Sequence, residues 1–434
     1  MDKDLPVWIL EPELTEKRDS SARKLFEGGQ KADYLPETIS IGDTRRQLRT
    51  LREYARSNIS VLAGELKTNL GQKYPQVKVY TAADSVEAIE YITRASDGLN
   101  VISINNSSIV TQELKPGLTA GGFTVINSYL NEFDVKERSI RDYWDLPRLS
   151  EKNLAGTFEV SIKTTVLDSD RESKKYLTVL GVNAMSAEDC TVFFLEHFSN
   201  IYNDLRQAEK VILVVGLDKI VKDRQDANFQ TKCMAVFGME SALLGLGPKP
   251  RQAPSIDELG LLSSDRNREL HVILLDNGRA GLLQGKYKDL FLCIGCRACN
   301  QRCPIRHSFT DVDYIWSPRN YLNQFLYGRS HSIDVCLHCE ACRMECPLDI
   351  DLPHLMWQAK MDYTSKHGPS FYHRILGKPE LLARLGTPFA PLANRLMANG
   401  LVRVLTEKIA GIDRKATLPR FHSQTFRKWF RQNA

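Results

Sequence analysis

Eight of the chain's ten cysteines fall into two copies of one spacing, C-x2-C-x2-C-x3-C-P. The first copy, CIGCRACNQRCP, runs from Cys293 to Pro304, and the second, CLHCEACRMECP, runs from Cys336 to Pro347. In the reducing cytosol such a density of thiols indicates metal binding rather than disulfide bonds. Three cysteines crowded onto one tight loop suit an iron–sulfur cube, where each thiolate binds one iron, better than a tetrahedral zinc site.

The spacing therefore predicts two 4Fe-4S clusters, and the cysteine before each proline is expected to bind the cluster of the other motif. The first cluster would be bound by Cys293, Cys296, Cys299 and Cys346, and the second by Cys336, Cys339, Cys342 and Cys303. All eight cysteines are thus candidate metal ligands. Paired zinc sites and simple buried thiols are the two alternatives. Neither motif lacks a cysteine, which favours electron relay over chemistry at an open iron.

Basic side chains lie between these ligands, at Arg297, Arg302, His338 and Arg343. Their charge and hydrogen bonds could raise the reduction potentials of the clusters. The alternative is that they are simply solvated.

The residues before Cys293 alternate short β-rich runs with helical patterns. The segment 76–105 indicates strand, helix, strand, and EKVILVVGLDKIV (209–221) is typical of a buried parallel strand. The segment ELHVILLDNG (269–278) indicates a further strand with a turn at Asn277–Gly278. Residues 43–70 form an amphipathic helical pattern within an N-terminal helical arm. This alternation predicts an α/β domain with a parallel sheet, and the cluster region and tail after it are predicted to be mainly helical.

No catalytic constellation stands out in the α/β region. It has no G-x-G-x-x-G after a strand and no G-x-x-x-x-G-K-[ST], and Gly121–Gly122 is better explained by a turn than by a phosphate cradle. Cys190 and Cys233 are interpreted as buried structural thiols, with a reactive thiol as the alternative. We therefore assign no catalytic residues.

Of the 434 residues, 42% are hydrophobic and 26% are charged, which is the composition of a soluble globular protein. The first residues lack the basic and apolar regions of a signal peptide, and no apolar run is long enough to span a bilayer. We therefore expect a cytoplasmic protein. From Phe371 onward, twelve Lys and Arg stand against three acidic residues. Such a basic tail can favour an anionic lipid surface, nucleic acid or an acidic partner, and a solvated linker is the alternative. We expect no nucleic-acid partner.

The chain resembles the iron–sulfur proteins of the lactate utilisation protein B family, which carry a lactate-utilisation (LUD) domain. The resemblance is carried by SSIVTQEL (107–114), AEDCTVFFLEHFSN (187–200), VVGLDKIV (214–221) and ELHVILLDNGRAGLL (269–283), the last leading into the first cysteine motif. It implies a fold like that of the sugar-isomerase and coenzyme A transferase α/β proteins. It also implies a role in the oxidation of lactate or a similar 2-hydroxy acid.

The chain departs from this family at two places. The family commonly has a Lys-Ser-Lys-Ser-like stretch where this chain has NNSS, Asn105 to Ser108, and AETGT where it has AEDCT, Ala187 to Thr191. Loss of the lysines would weaken an anion site, and Cys190 in place of glycine narrows the approach to the backbone. A small-molecule site in this domain is therefore expected to be altered.

The tail resembles a linker found in the iron–sulfur component of glycerol-3-phosphate dehydrogenase (its C subunit) and in related reductases. In those proteins LP-F---TF--WF precedes a cysteine-rich domain like heterodisulfide reductase. Here the chain stops after FRKWFRQ (426–432). The resemblance implies that the cysteine-rich partner is a separate polypeptide to which the tail docks. The expected anchors are aromatic, Phe421, Phe426, Trp429 and Phe430. A tail that packs on itself is the alternative, as is one that lies on the inner face of the membrane.

These patterns predict a helical arm at 1–60, a LUD-like α/β domain at 61–284, a two-cluster ferredoxin domain at 285–365 and a docking tail at 366–434. The predicted function is an electron-transfer subunit between a dehydrogenase or flavin subunit and a heterodisulfide-reductase-like or quinone-linked partner. Two alternatives are an oxidoreductase that binds a hydroxy acid or thioester itself, and a redox-sensing scaffold subunit.

Overall fold

The computed structural model describes residues 5–10, 41–127, 175–195, 200–238, 268–300, 303–305, 318–328, 336–369, 373–374 and 377–433. Some predicted features lie outside the described residues. They are most of the N-terminal arm (11–40) and Arg302.

The strands are short, and their chain order alternates with helices. They are β1 (Val7–Leu10), β2 (Lys78–Ala82), β3 (Val101–Ile104), β4 (Thr124–Asn127), β5 (Leu177–Gly181), β6 (Ala184–Ser186), β7 (Val192–Leu195), β8 (Lys210–Gly216), β9 (Ile220–Val221) and β10 (Glu269–Leu275). Six of them form one sheet in the order β2-β10-β8-β5-β3-β4, and every pairing in it is parallel. This sheet confirms the predicted α/β fold class.

The central strands β8 and β10 are apolar along most of their length. All of their residues after the first are buried, because helices and loops cover both faces of a parallel sheet. The two strands pair in register from Glu269 opposite Lys210 to Leu275 opposite Gly216. The carboxyl ends of the sheet's strands therefore meet at one edge, where open α/β sheets bind their ligands.

The helices between and after the strands follow the predicted pattern. They are α1 (Ile41–Lys73), α2 (Ser85–Ser96), α3 (Lys115–Ala120), α4 (Asn200–Gln207), α5 (Arg224–Phe237), α6 (Arg279–Leu282), α7 (Pro318–Leu326), α8 (Ala341–Glu345), α9 (Leu352–His367), α10 (Pro379–Gly386), α11 (Ala390–Ala398), α12 (Gly400–Ala410) and α13 (Phe426–Asn433). A π-helical turn at Ile109–Leu114 precedes α3.

Helix α1 is 33 residues long and runs through residue 60, where the sequence suggested a domain boundary. Most of its stability comes from an apolar stripe packed on the core, since propensity alone holds long helices weakly. The stripe consists of buried residues three or four apart: Leu48, Leu51, Ala55, Ile59, Leu62, Leu66 and Leu70. Arg52 lies beside this stripe and is also fully buried.

A second sheet, with strand order β1-β7-β6-β9, was not predicted from the sequence. Strands β6 and β9 contain only three and two residues, which is too short to show a period of two. The sheet packs against α5 and α1. It gives the α/β region a second layer of buried strands.

The first cysteine motif follows the main sheet closely. After β10 ends at Leu275, a turn with left-handed backbone at Asn277 (φ 45°) and Gly278 (φ 81°) leads into α6. A 3-10 turn at Lys288–Leu292 then ends at Cys293. The chain thus carries the first cysteine loop to the carboxyl edge of the sheet within a few turns.

The described residues divide into two compact units, the first including those up to 328 and 336–357, and the second those from 358 onward. The second unit is helical, and its described residues 377–433 have little core, with only Gly386 and Ala390 buried. No helix of the described residues is long and apolar enough to cross a membrane.

Candidate metal centre

The eight motif cysteines line two separate cavities. The first cavity, of about 140 Å³, is lined by Cys293, Cys296, Cys299 and Cys346. The second, of about 20 Å³, is lined by Cys303, Cys336, Cys339 and Cys342. Each cavity therefore combines three cysteines of one motif with the last cysteine of the other, which are the two sets that the sequence predicts. The ligand roles themselves stay a prediction.

Four cysteines line each cavity, one for each iron of a 4Fe-4S cluster. Among the described residues, no three Cys, His, Asp or Glu side chains are placed to share a single metal ion. One thiol per iron is the arrangement that an iron–sulfur cluster requires. On these observations the donor set fits a cluster.

The two cysteine loops share an unusual backbone. In the first loop Gly295 (φ 84°) and Arg297 (φ 60°) are left-handed, and in the second loop His338 (φ 50°) and Glu340 (φ 63°) take the equivalent positions. Left-handed residues turn successive N–H groups inward and form a concavity that attracts anions. A cluster with four thiolate ligands is such an anion.

Backbone N–H groups already point at the sulfurs of the first set. The N–H of Gly295 donates to Cys293 Sγ at 3.3 Å. The N–H of Arg319 donates to Cys299, and Cys346 accepts from the N–H groups of Ile350 and Leu348. N–H···S hydrogen bonds of this kind stabilise bound clusters and tune their potentials.

Burial raises the pKa of several of these thiols, with neighbouring thiols adding to the effect. The pKa of Cys299 lies well above its ordinary value, that of Cys346 rises to about 11 and that of Cys342 to about 12. Without metal these thiols hold their protons at neutral pH. Cluster assembly must therefore release protons, because only thiolates bind iron.

The two cavities differ in exposure. Cys296, Cys299 and Cys346 of the first set are buried, whereas Cys339 of the second set is exposed. Leu337 next to it is 65% exposed. The second cavity therefore lies near the protein surface.

Buried basic residues hydrogen-bond to the backbone of the first cysteine loop and of the residues just before it. The sequence did not predict them. Arg52 donates to the carbonyls of Phe291 (2.7 Å) and Leu292 (3.1 Å), directly before Cys293. Lys219 Nζ donates to the carbonyl of Ile294 at 2.6 Å. An arginine inside the apolar pattern of α1 was the signal available in the sequence.

Helix α1 also contacts the end of the second motif. Arg45 donates to the carbonyls of Cys346 and Pro347, and Arg49 donates to the carbonyl of Leu348 at 2.5 Å. Three arginines of one helix thus hold the backbone on both sides of the first thiol set.

A buried ion network lies beneath the first cavity. Arg279 pairs with Glu113 (Nη2–Oε1 2.6 Å) and with Asp218. Burial opposes ionisation of Asp218, but Arg279, Lys219 and Arg52 together hold the pKa of its carboxyl well below the ordinary value. Burial also lowers the pKa of Lys219, although Asp218 and Cys293 oppose that shift.

The two stretches that differ from the family pattern lie in different parts of the structure. Asn105 to Ser108 follow β3 and line the first cavity. Asn105 is fixed there by two hydrogen bonds to the backbone of Gly181 (2.9 and 3.0 Å). Cys190, which replaces a family glycine, has a left-handed backbone (φ 63°) that glycine adopts without strain.

Cys190 and Cys233 are both buried, as predicted. Burial raises the pKa of each thiol to about 12. Neither lines the two cysteine cavities described above. Both observations favour structural thiols.

The predicted aromatic anchors of the tail differ in exposure. Phe426, Trp429 and Phe430 are 73%, 49% and 54% exposed. Phe421 is half-buried, and its backbone accepts and donates hydrogen bonds of 2.9 Å with the Asn394 side chain. Three of the four side chains are therefore available on the surface of the second unit.

The chain is similar to several curated proteins at low identity. Lactate utilization protein B of Lysinibacillus sphaericus is 23% identical over 297 residues, which cover 63% of this chain and 61% of that protein. The Escherichia coli K12 electron transport protein YkgF is 22% identical over 276 residues, or 58% of this chain and 56% of that protein. The chain therefore spans less than two thirds of these relatives.

A shorter match involves the C subunit of anaerobic glycerol-3-phosphate dehydrogenase from Escherichia coli K12. It is 31% identical over 86 residues, which cover 20% of this chain and 22% of that protein. No family model matches the chain, and no solved structure matches it either. These proteins are named for lactate utilization, for electron transport and for a dehydrogenase subunit.

Proposed function

We propose that this chain is the iron–sulfur electron-transfer subunit of a multi-subunit oxidoreductase. It would bind two 4Fe-4S clusters, the first through Cys293, Cys296, Cys299 and Cys346 and the second through Cys336, Cys339, Cys342 and Cys303. The observation that carries this proposal is the grouping of the eight thiols around two cavities, each drawing on both motifs. When bound, the clusters supply one-electron transfer.

The protein's own residues prepare both sites for this role. Left-handed loop residues and backbone N–H groups face the thiols, and α1 holds the loops through its arginines. All four thiol positions of each site are filled, so no iron is left open for a substrate. This arrangement supports relay of electrons rather than chemistry at a cluster.

The names of the relatives support a position for this electron relay between a dehydrogenase and a second electron-transfer partner. The similar proteins are named for lactate utilization, for electron transport and for a dehydrogenase subunit. We propose that electrons pass between a dehydrogenase or flavin subunit, acting on lactate or a similar 2-hydroxy acid, and a cysteine-rich or quinone-linked partner. The α/β region (61–284) would carry the two-cluster region (285–365), and the tail (366–434) would dock the partner in the cytoplasm.

The tail's surface supports docking. Helices α10, α11, α12 and α13 all expose large apolar side chains at helical spacing: Leu381 and Leu385, Leu392 and Leu396, Leu401, Leu405 and Ile409, and Phe426, Trp429 and Phe430. Aromatic side chains with flanking arginines are the residues that dominate protein interfaces.

Two experiments test the proposal. Anaerobic reconstitution of the full chain should give about eight irons and eight sulfides per chain, with an electron paramagnetic resonance (EPR) signal on reduction. Anaerobic purification of the native complex, followed by mass spectrometry, should then recover a cysteine-rich protein and a dehydrogenase. A chain that binds no iron and sulfide would refute the cluster proposal, and a chain that purifies alone with both clusters would refute the docking role.

A second candidate function is supported by the place of the first cavity. It lies over the carboxyl ends of β3, β5 and β8, lined by Asn106, Asn183 and Asp218 among others, and this edge of an α/β sheet is a general ligand site. The α/β region could bind a hydroxy acid or thioester itself. Oxidation of lactate by the purified chain with an artificial acceptor would support this function, and no turnover without partners would exclude it.

A further inference from the structure

We propose that buried cations of the α/β region hold the first cluster, that of Cys293, Cys296, Cys299 and Cys346, at a higher reduction potential than the second cluster. We assign to Lys219 the most direct effect on the reduction potential of the first cluster. The inference rests on the proposed function, because it needs both clusters to bind. Electrons that arrive at the exposed second cluster would then move spontaneously to the first.

Lys219 is positioned against the first cysteine loop. It follows β8 at the carboxyl edge of the sheet, and only 12% of its side chain is exposed. Its ammonium donates to Ile294 O at 2.6 Å, between Cys293 and Cys296. A Cβ atom on Gly295 would lie 3.2 Å from Lys219 Nζ. The positive charge therefore contacts the loop backbone itself.

Two more buried cations support the same loop. Arg52 is fully buried and hydrogen-bonds to the two carbonyls before Cys293. Arg279 lines the first cavity and is paired with Asp218 and Glu113. These three cations face two buried carboxylates, so the described network around the first loop keeps a positive excess.

Among the described residues, the second cavity has no such buried cation, and none of the residues that line it is Lys or Arg. Arg343, which follows Cys342, is 44% exposed and forms ion pairs with Glu340 (3.9 Å), Asp349 (3.4 Å) and Asp351 (3.1 Å).

Reduction adds one negative charge to a cluster, so nearby cations raise its potential and nearby anions lower it. The cations of the first site act in a buried, low-dielectric region, where Coulomb interactions are strong. Arg343, beside the second set, is 44% exposed, and its charge is paired with acids and partly screened by solvent and salt. Burial of the first cluster opposes its reduction, and N–H···S bonds at Cys293, Cys299 and Cys346 act with the cations against that effect.

The test is an anaerobic redox titration of the reconstituted full chain, followed by EPR. The two reduction steps are assigned with Cys339→Ser, which alters only the second cluster's signal. We expect the step at higher potential to be the one that Cys339→Ser leaves unchanged. If Cys339→Ser alters the higher step, the second cluster has the higher potential and the proposal is overturned. This outcome does not depend on the Lys219 variants.

Lys219→Gln then removes the charge while keeping a donor for Ile294 O. We expect it to lower the potential of the first cluster and leave that of the second unchanged. Lys219→Arg should restore the potential, and Lys232→Gln, at an exposed lysine of α5, should shift neither. An unchanged first potential in Lys219→Gln, with both clusters present by iron content, would contradict the assigned role of Lys219. Absence of two clusters in the wild type would instead refute the proposed function.

Discussion

Arg52 is the residue whose burial most needs an explanation, since arginine is rarely enclosed completely. It donates to four acceptors: Asp218 O, Phe291 O, Leu292 O and Gln230 Oε1. It therefore joins α1, the end of β8, α5 and the approach to the first cysteine loop. A guanidinium is suited to this because its five donors have a fixed geometry.

Arg52→Met is expected to lower the free energy of unfolding by about 3–5 kcal/mol, because it leaves buried acceptors without a donor. Urea denaturation of the full chain measures this change. Arg56→Met is the matched control one turn along α1, where the side chain is 24% exposed and forms one ion pair with Asp289. It should cost about 1 kcal/mol or less. Equal losses in the two variants would contradict the supporting role of Arg52.

His271 predicts a dependence of stability on pH. It is 2% exposed on β10 and is hydrogen-bonded to Tyr91 (2.9 Å) and Glu269 (3.2 Å). Burial lowers its pKa in the folded protein, although Glu269 opposes the shift. The unfolded chain therefore binds a proton more readily, and this contribution to stability is present above the unfolded pKa of about 6.5 and is lost as pH falls towards the folded value.

His271→Gln should therefore lose less stability than the wild type when pH is lowered from about 7.5 to about 5.5. The measurement is the thermal midpoint of unfolding at both pH values. His354→Gln, at an exposed histidine, should show the wild-type decrease. An identical decrease in all three proteins would contradict the pH role of His271.

At the scale of the element, the cysteine loops depend on their left-handed residues. Gly295→Ala places a Cβ atom in a left-handed conformation (φ 84°) and 3.2 Å from Lys219 Nζ. We expect a cost of about 1 kcal/mol and a loss of iron from the first site. Gly281→Ala is the control, since a Cβ there meets nothing within 4 Å. Full iron content in Gly295→Ala would show that the loop tolerates the side chain.

The elements also show how far the sequence could predict this structure. The apolar run of β8 and the turn at Asn277–Gly278 predicted strands and a parallel sheet, because burial on both faces leaves a continuous apolar pattern. The cysteine spacing predicted two ligand sets, and the thiols of each set line one cavity. Strands β6 and β9 were missed because they are too short to show a period.

The supporting cations were missed for a different reason. Lys219 and Arg279 each follow a strand in the sequence, 60 residues apart in number, and nothing local shows that both lie under the first loop. Their meeting depends on the parallel order of β8 and β10. Side-chain networks of this kind depend on tertiary topology rather than on local pattern.

At the scale of the whole molecule, the chain combines a first unit with two thiol-lined cavities and a second unit with an exposed apolar surface. Replacement of Phe426, Trp429 and Phe430 by Ser should abolish capture of the cysteine-rich partner by the affinity-tagged chain, because these side chains would be its anchors. Iron content should stay unchanged. The matched control is Tyr54→Ser, at an exposed aromatic residue of the first unit. Retained capture by the triple variant would place the docking surface elsewhere.

The most direct test of the crossed cluster arrangement compares Cys346→Ala with Cys303→Ala in the anaerobically reconstituted chain, using iron content and EPR. Each variant should lose one cluster and retain about four irons. The crossed arrangement predicts that Cys346→Ala loses the same signal as Cys296→Ala, and that Cys303→Ala loses the same signal as Cys339→Ala. If the signals instead group by motif, with Cys303 matching Cys296, each motif binds its own cluster, and the assignment of the two cavities to two crossed clusters is wrong.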